Sequence, residues 1–288
     1  MKNKQIVITI ITHTNKPTEF ELISLKQGLK ILHKHPFALV VPEGLDVSVY
    51  EKLFQFYNVK YDIEFFNNKF FGTLANYNRL VLHKSFYERF NGYEYMLIYH
   101  LDCFVFRDEI DYWCAKGYDY FGPPWFGMFD ANYKTDNLWL VGNGGFSIRK
   151  IDSFIRVLSL PKIKLSFSKL YYYYTLQRTP FNKLIKLPYI ILLASGFKNN
   201  KSYYLETPFS EDIFWSYVAT NIKNPINPIP LNESIEFGFD GNPETLYNMN
   251  NKKLPFGCHG WFKYDKRNID FWTPFIEKEG FTVPLNSK

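Results

Sequence analysis

The sequence predicts an α/β protein with a mixed central sheet flanked by helices. Apolar, β-branched runs of strand length alternate with amphipathic runs of helix length through the first half of the chain. The composition, with 46% hydrophobic and 22% charged residues, excludes a disordered chain. A length of 288 residues fits one extended α/β domain. Alternating strands and helices favour a mainly parallel sheet, whose ligands bind beyond the carboxyl ends of the strands.

The predicted elements of the first half follow in chain order. Residues 5–11 form a continuous run of mainly β-branched side chains, which indicates a strand buried on both faces. Residues 20–33 carry leucines at helical spacing shortly after Pro17, which indicates the first helix. The same patterns predict further strands at 37–41, 61–66 and 95–99, and further helices at 47–56 and 73–90.

The second half of the chain differs, with glycine- and proline-rich turns, short motifs and a basic aromatic stretch. We expect residues 1–288 to form a single domain. Its two halves divide at 1–125 and 126–288, and the second half contains an insertion at 161–206.

The positive charge is concentrated in this insertion and in the residues just before it. The chain has a formal charge of +6, yet between Asp152 and Glu206 it has nine lysines and arginines and no acidic residue. A nucleic-acid-binding protein would spread such residues over the fold or along a motif, so nucleic acid is not an expected partner. The segment indicates either a contact with an anionic membrane or a solvated excursion whose tyrosines pack on the domain.

Cysteine usage and the start of the chain bear on the compartment. The three cysteines form neither a CxxC pair nor an even disulfide set, which favours a reducing compartment. Residues 1–14 have a short apolar run interrupted by threonines and no small-residue cleavage site, which indicates a strand and not a signal peptide. We expect a cytoplasmic protein, with peripheral contact to the inner face of the membrane as the alternative to a freely dissolved one.

Polar residues directly follow two of the predicted strands. Thr12 and His13 come after the first strand, and Asp102 comes after strand 95–99. Because ligands lie beyond the carboxyl ends of parallel strands, these residues are candidates for a binding site. The carboxylate of Asp102 suits a Mg²⁺ or Mn²⁺ ion that bridges phosphates. The alternative is a strand-end aspartate that caps the next turn.

A glycine-rich turn and an acidic pair offer further candidates. Asn143, Gly144 and Gly145 form a turn that lets a ligand approach the backbone, although the spacing of a P-loop or a dinucleotide fingerprint is missing. Glu211 and Asp212 lie at a predicted helix start. One of them can act as a general base towards an acceptor hydroxyl, or both simply stabilise the helix amino terminus.

A histidine and several tryptophans complete the set of candidates. His259 lies between turn glycines, where it can ligate a metal, contact a pyrophosphate or be a buried turn histidine. Trp125, Trp139, Trp215 and Trp261 lie beside the motifs. Their flat faces suit a sugar ring or a nucleobase, and the alternative for each is a place in the core.

Taken in order, these motifs resemble a known family. The segments that carry the resemblance are a threonine-rich first strand, HLDCFVF at 100–106, YFGPPW at 120–125, VGNGGFSIRK at 141–150, SEDIFW at 210–215 and FGCHGW at 256–261. Over nearly the whole chain they resemble a bacterial family that is catalogued as a domain of unknown function and is similar to glycosyltransferases of the GT-A type. The order of the motifs is also similar to that of the inverting β-1,3-galactosyltransferase and fringe-like group.

The resemblance implies a role for each motif. Asp102 matches the first position of a metal-binding DxD, which here reads DCF and lacks its last carboxylate. His259 matches a late metal or phosphate ligand, and Asp212, or else Glu211, matches the catalytic base. The residues expected to contact the donor or the acceptor are Thr12, His13, Asn78, Arg79, Asp102, Trp125, Asn143, Gly144, Gly145, Trp215 and Trp261.

The resemblance also implies an activity. The expected fold is GT-A-like with a Rossmann-like sheet, and residues 1–125 would bind the nucleotide-sugar donor. The expected enzyme transfers a sugar, with inversion and with Mn²⁺ or Mg²⁺ as cofactor, to a glycan or lipid-linked acceptor in surface polysaccharide synthesis. The incomplete DxD puts metal dependence in question and motivates one alternative, a non-catalytic relative that binds a glycan or a nucleotide sugar.

Overall fold

The computed structural model describes residues 4–127, 137–176, 178–207 and 209–284. The strands of this part are β1 (Lys4–Ile11), β2 (Phe37–Pro42), β3 (Tyr61–Phe66), β4 (Tyr93–Tyr99), β5 (Phe104–Val105), β6 (Tyr120–Phe121), β7 (Pro124–Phe126), β8 (Leu138–Val141), β9 (Phe146–Lys150), β10 (Gly238–Asp240) and β11 (Gly257–His259). The helices are α1 (Glu19–Ile31), α2 (Ser48–Phe56), α3 (Leu74–Val81), α4 (Lys84–Glu88), α5 (Ile110–Ala115), α6 (Ile151–Ser159), α7 (Phe167–Thr175), α8 (Pro180–Ser195), α9 (Lys201–Glu206), α10 (Glu211–Ile213), α11 (Ala219–Asn221), α12 (Leu231–Phe237), α13 (Pro243–Met249) and α14 (Lys266–Lys278). A 3₁₀ turn covers Asn68–Phe70, and a π-helical turn, Phe214–Val218, joins α10 to α11.

The central sheet has six strands in the order β3-β2-β1-β4-β9-β6. The first four are parallel, whereas β9 runs antiparallel to β4 and β6 runs antiparallel to β9. The expected mixed sheet flanked by helices is therefore confirmed. The reversal at β9 matters for the site, because it brings the amino end of β9 to the carboxyl ends of β1 and β4.

Local sequence signals place the first helix on this sheet. Thr18 and Glu21 form a capping box at the start of α1, with the Glu21 carboxylate accepting a hydrogen bond of 2.7 Å from the Thr18 backbone N–H. Gly28 lets α1 approach closely, since a Cβ there would lie 3.0 Å from the ring of Tyr99. The buried faces of β1 and β4 and the helices around them form the core.

One predicted helix is two helices in the structure. The expectation of a single helix at 73–90 is wrong: α3 ends at Val81 and α4 begins at Lys84. His83 between them has an extended backbone, and its Nδ1 lies 2.7 Å from the hydroxyl of Ser85. This turn bends the chain where apolar periodicity alone indicates continuity.

A second, three-stranded sheet in the order β10-β11-β5 lies beside the central one. β10 and β11 are parallel, and β5 pairs antiparallel with β11. Because β5 begins shortly after β4 ends, this pairing brings the end of β11 next to the end of β4. A two-stranded sheet of β7 and β8 precedes the glycine-rich turn.

Residues 161–206, called the basic helical segment below, contain α7, α8 and α9. α7 packs on the turn that follows α10, with the rings of Tyr173 and Tyr217 centred 4.9 Å apart. α8 packs on α7, with the rings of Tyr174 and Tyr189 centred 5.6 Å apart. Of the helices in the described ranges, none combines the length and the apolar character needed to cross a bilayer.

Candidate functional site

A cleft of about 360 Å³ opens at the carboxyl ends of β1 and β4. Thr12 and His13 line it directly after β1, and Asp102 lines it after β4. The two strands are parallel neighbours, so their carboxyl ends share one edge of the sheet. Tyr77 of α3 and Lys263 close other sides of the cleft. The structure thus brings together the three residues that the strand ends predict.

The glycine-rich turn forms a wall of the site. Asn143 has a left-handed backbone with φ of 79°, and its Oδ1 accepts hydrogen bonds from the N–H groups of Gly145 (2.7 Å) and Phe146 (2.9 Å). The N–H of His100 donates to the carbonyl of Gly145 at 2.9 Å. A Cβ on Gly145 would lie 2.4 Å from Nε2 of His259 and 2.6 Å from Nδ1 of His100. Only glycine at this position lets the two imidazoles come together.

His259 enters from the second sheet. It is the last residue of β11 and pairs with Asp240, the last residue of β10. Its Nδ1 lies 3.1 Å from Oδ1 of Asp240 and 2.8 Å from Nδ2 of Asn143, and the hydroxyl of Tyr264 donates to the same Asp240 oxygen at 2.7 Å. With the proton on Nδ1, facing Asp240, the lone pair of Nε2 points towards Asp102. A carboxylate that accepts from Nδ1 favours the tautomer whose Nε2 can ligate a metal, whereas the Nδ2 donor of Asn143 at the same nitrogen favours the other tautomer.

His100, Asp102 and His259 form a cluster whose ligand atoms all lie within 4.8 Å of one another. Asp102 is 3% exposed, and its Oδ1 has no hydrogen-bond partner in the described part of the chain. Two imidazoles and one carboxylate with an unsatisfied buried oxygen fit a divalent ion, and the imidazoles favour a transition metal such as Mn²⁺ over Mg²⁺. Nζ of Lys263 lies 2.7 Å from Oδ2 of Asp102, so a lysine already balances part of the carboxylate charge.

The pKa values of the cluster suit a cation site. Burial alone would raise the pKa of Asp102, but its two histidine neighbours and Lys263 lower it to about 2. Burial lowers the pKa of His100 to about 3, so this ring is neutral and can ligate. Burial would also lower the pKa of His259, but Asp102 and Asp240 raise it. A metal ion at Nε2 of His259 therefore competes with a proton.

The acidic pair at the start of α10 divides into a buried and a reachable carboxylate. Glu211 is 2% exposed and lies 3.1 Å from the fully buried guanidinium of Arg149. That guanidinium also donates to the hydroxyl of Tyr87 (2.8 Å) and to Ser147 (3.0 Å). Burial raises the pKa of Glu211 to about 7 against the opposing charge of Arg149, with Asp212 adding to the rise.

Asp212 is only partly buried, and its Oδ1 accepts a hydrogen bond of 2.8 Å from the N–H of Ile213 and contacts the hydroxyl of Ser210. The glycine turn connects the pair to the cleft: a Cβ on Gly144 would lie 1.6 Å from Oε1 of Glu211. Tyr77 contacts both sides, since its hydroxyl donates to the carbonyl of Gly144 at 3.3 Å. Its ring also packs edge-on against His100, with a centroid distance of 5.0 Å.

The structure places the candidate tryptophans in different environments. Trp215 and Trp261 are completely buried, Trp215 against Phe154 and Trp261 with its Nε1 donating to Ser24, so neither ring offers a face to a ligand. Trp125 is partly exposed and lies against Gly142, where a Cβ would come within 2.3 Å of the ring. Its Nε1 donates to Oδ2 of Asp240 at 3.1 Å, which connects it to His259.

Asn78 and Arg79 lie on α3, but the cleft is lined by Tyr77 of that helix. Asn78 is 8% exposed, and the guanidinium of Arg79 is exposed and reaches Asn76. The chain's own site residues that the sequence reasoning missed are His100, Lys263, Tyr77, Asp240 and Arg149. His100, Tyr77, Arg149 and Lys263 all lie within four residues of a candidate residue, whereas Asp240 is distant from all of them in sequence.

Several solved glycosyltransferase structures are similar to this chain. Core-mannan synthase A from Aspergillus fumigatus, in its Mn/GDP form, has a TM-score of 0.40 and 12% identity and covers 53% of this chain and 61% of its own. The apo form of glycosyltransferase GlyE from Streptococcus pneumoniae has a TM-score of 0.45 and 10% identity over 99% of this chain and 66% of its own. A glycosyltransferase involved in glycosylation of the major capsid of PBCV-1 has a TM-score of 0.40 and 12% identity over 95% and 99%. The chain thus spans less than two thirds of the length of the first two.

Sequence comparison gives a family. No curated protein matches the chain. The model of the family described as "Protein of unknown function (DUF5672)" matches residues 60–259, which is more than half of the 288 residues. The chain therefore belongs to this family.

Proposed function

We propose that the protein is a glycosyltransferase that moves a sugar from a nucleotide-sugar donor to a hydroxyl of a glycan or glycolipid. One observation carries the proposal: His100 and Asp102 of a His-Asp-His cluster line a cleft at the carboxyl edge of the sheet, and a glycine turn lies between this cluster and the acidic pair of Glu211 and Asp212. The motif order of the GT-A type supports the same reading. Breaking a bond between a sugar and a phosphate needs both a cation for the leaving diphosphate and a base for the incoming hydroxyl.

The cation side of the site is built from the ends of β4 and β11. His100, Asp102 and His259 would hold a divalent ion, proposed to be Mn²⁺ and otherwise Mg²⁺, and such an ion supplies Lewis-acid neutralisation of the diphosphate. Lys263 adds a positive charge at the same cleft. Thr12 and His13 line the same cleft, where they would contact the donor.

The base side of the site is the start of α10. Asp212 is the reachable carboxylate of the pair, so we assign it the proton of the acceptor hydroxyl. Glu211 is held by Arg149 and supports the wall formed by Gly144, which makes it a positioning residue. A direct displacement assisted by Asp212 inverts the anomeric centre. Trp125, which is partly exposed and donates to Asp240, is proposed to contact a sugar.

The same proposal assigns roles to the larger parts of the chain and a biological setting. We propose residues 1–125 as the donor half, residues 126–288 as the acceptor and catalytic half, and residues 161–206 as an insertion. The proposed setting is bacterial surface polysaccharide synthesis at the cytoplasmic face of the membrane, with no nucleic-acid partner.

A transfer assay tests the proposal. The native chain, with Mn²⁺, is incubated with UDP-, GDP-, CMP- and dTDP-sugars, and release of the nucleotide is measured with and without a glycan acceptor. Asp212→Asn is expected to reduce turnover by about 10²–10⁴-fold, because it removes the proton acceptor, and to leave donor binding unchanged. The matched control is Asp111→Asn, an exposed aspartate in the first turn of α5, which should retain full turnover.

Lys263 favours one alternative, a non-catalytic relative that binds a glycan or nucleotide sugar. Its ammonium lies at the carboxylate of an incomplete DxD, where a catalytic ion would be expected. Binding of a donor with no turnover for any donor and acceptor would establish the alternative. Turnover that is lost in Asp212→Asn would exclude it.

A further inference from the structure

The exposed face of α8 is apolar. Its side chains are exposed by 71% at Phe181, 68% at Leu184 and 58% at Ile185. The complete set of exposed apolar positions on this helix face is Phe181, Leu184, Ile185, Pro188, Ile191 and Leu192. At 100° per residue these six positions fall within one stripe about 120° wide. A helix on the surface of a globular domain normally presents polar side chains there.

The opposite face of α8 is the one that packs on the protein. Ile190 and Leu193 are fully buried, and Lys183 and Lys186 are on the same side, only partly exposed. Because this other face already packs in the core, the apolar stripe is a second apolar face of α8. In the described part of the chain, no segment covers the stripe.

The segment that contains the stripe is positively charged. The segment between Asp152 and Glu206 has nine lysines and arginines and no acidic residue. Four of these lysines, Lys162, Lys164, Lys169 and Lys198, are exposed. An apolar helix face within a cationic segment matches the two signals for attachment to an anionic bilayer surface, namely burial of apolar area and attraction to anionic lipid headgroups.

We propose that the basic helical segment docks on anionic membrane, with the stripe of α8 buried at the boundary between headgroups and acyl chains. The alternative occupant of an apolar face is a second copy of the chain. A symmetric dimer through this face would bring together two segments of nine positive charges each without an acidic residue to balance them. The charge thus favours the lipid surface.

The docked segment is connected to the acidic pair. Tyr173 of α7 packs on Tyr217, six residues after Glu211; burial raises the pKa of Tyr173, and the negative charge of Asp212 adds to the rise. A membrane at α8 would therefore hold a lipid-carried acceptor near the proposed base. This last step rests on the proposed function, whereas membrane docking itself does not.

Vesicle co-sedimentation of the full chain tests the docking surface. The vesicles are phosphatidylcholine alone, or phosphatidylcholine mixed with phosphatidylglycerol, each at low and high salt. The native chain is expected to bind the mixed vesicles and to release with salt. Leu184→Gln/Ile185→Gln/Leu192→Gln keeps the charge and is expected to weaken partitioning at least about tenfold, because it removes buried apolar area. The control is Phe56→Gln, a residue 80% exposed on α2, which should bind as the native chain does.

Two further measurements keep the outcome decisive. Phe181→Gln/Ile191→Gln repeats the test at other positions of the stripe, and thermal unfolding checks that each variant is folded. Equal binding of native chain and both stripe variants would overturn the proposal. A native dimer in light scattering that both stripe variants dissociate, without vesicle binding by the native chain, would also overturn it and assign the face to a second copy. Because no step of the assay needs sugar transfer, failure of the enzymatic proposal leaves this result unaffected.

Discussion

Asp102 and Glu211 are equally buried carboxylates, 3% and 2% exposed, yet their pKa values shift in opposite directions. The pKa of Asp102 is lowered to about 2, and that of Glu211 is raised to about 7. Burial acts on both in the same sense, so the neighbours decide. Asp102 has two histidines and a lysine around it, whereas Glu211 has one arginine and the negative charge of Asp212 beside it.

The difference teaches how one end of the sheet can serve two chemical needs. The side with Asp102 keeps its carboxylate ionised and able to bind a cation. On the other side, the guanidinium of Arg149 binds the Glu211 carboxylate and the hydroxyls of Tyr87 and Ser147 at the same time. The glycine turn lies between the two environments: Gly144 lies against Glu211, and Gly145 lies against His100 and His259.

The largest expected effect comes from removing the charge of Asp102. Asp102→Asn keeps the size of the side chain but removes the anionic ligand of the cluster, so donor turnover should fall by about 10³-fold. Nucleotide release measured with Mn²⁺ checks this. Asp62→Asn, at an exposed position of β3, is the matched control and should be fully active. Turnover of Asp102→Asn at the native rate would remove Asp102 from the site.

Removing the guanidinium of Arg149 tests the other carboxylate. Arg149→Met removes the cation that lowers the pKa of Glu211, so the carboxyl must take up a proton or stay buried as an uncompensated charge, and the free energy of unfolding is expected to fall by up to about 3–5 kcal/mol, most at pH above 7. Urea unfolding measures the loss. The double variant Arg149→Met/Glu211→Gln should recover a large part of it, because the uncompensated charge is gone. A double variant as unstable as the single one would show that the loss comes from packing.

A methyl group in the glycine turn should disturb the cation side alone. Gly145→Ala places its Cβ within 2.6 Å of both imidazole rings, so we expect Mn²⁺ affinity to fall by about 10–100-fold. Isothermal titration with Mn²⁺ is the measurement. Gly92→Ala is the control, since a Cβ there has no neighbour within 4 Å. Unchanged Mn²⁺ affinity in Gly145→Ala would speak against ligation by the two histidines.

The smallest effect is a change in the pH dependence of stability. The folded-state pKa of Glu211, about 7, lies above the ordinary 4.5, so its contribution is fully present below pH 4.5 and is lost as the pH rises through 7. Glu211→Gln should therefore flatten the fall in the free energy of unfolding over this range. The folded-state pKa of Asp102 is depressed, so its contribution is present above pH 3.8 and is lost as the pH falls through about 2.

Urea unfolding at a series of pH values separates the two contributions. His259, whose pKa is raised, titrates in both the native chain and the Glu211→Gln variant, so it cancels in their difference. A difference that does not change between pH 4.5 and 7 would mean that Glu211 is ionised throughout.

The sequence predicts those parts of the site that follow from neighbouring parallel strands. Thr12, His13 and Asp102 could be found because each lies directly after a strand, and β1 and β4 meet at one edge. His259 was a candidate from its glycine surroundings, but its partner Asp240 depends on the pairing of β10 with β11. That register has no local signal.

Packing decides the rest, and it cannot be read from spacing. Arg149 and Glu211 are 62 residues apart in sequence. Arg149 lies on β9, whose antiparallel pairing with β4 places its guanidinium next to Glu211. Trp215 and Trp261 lie beside the motifs in sequence, but the fold turns both rings into the core. In the same way, the sequence predicts a basic insertion at 161–206, while only the structure shows that four of the seven leucines and isoleucines of α8 are exposed.

The most direct test of the account is the thermal unfolding of the native chain with nucleotide sugars, in Mn²⁺ and in EDTA. Ligand binding to the folded state raises its stability, so the midpoint reports donor binding without requiring turnover. We expect one nucleotide class to raise the midpoint in Mn²⁺ and to lose this effect in EDTA, because the proposal assigns the neutralisation of the phosphates to an ion at His100, Asp102 and His259. An equal rise in EDTA, or no rise with any nucleotide sugar, would contradict the account.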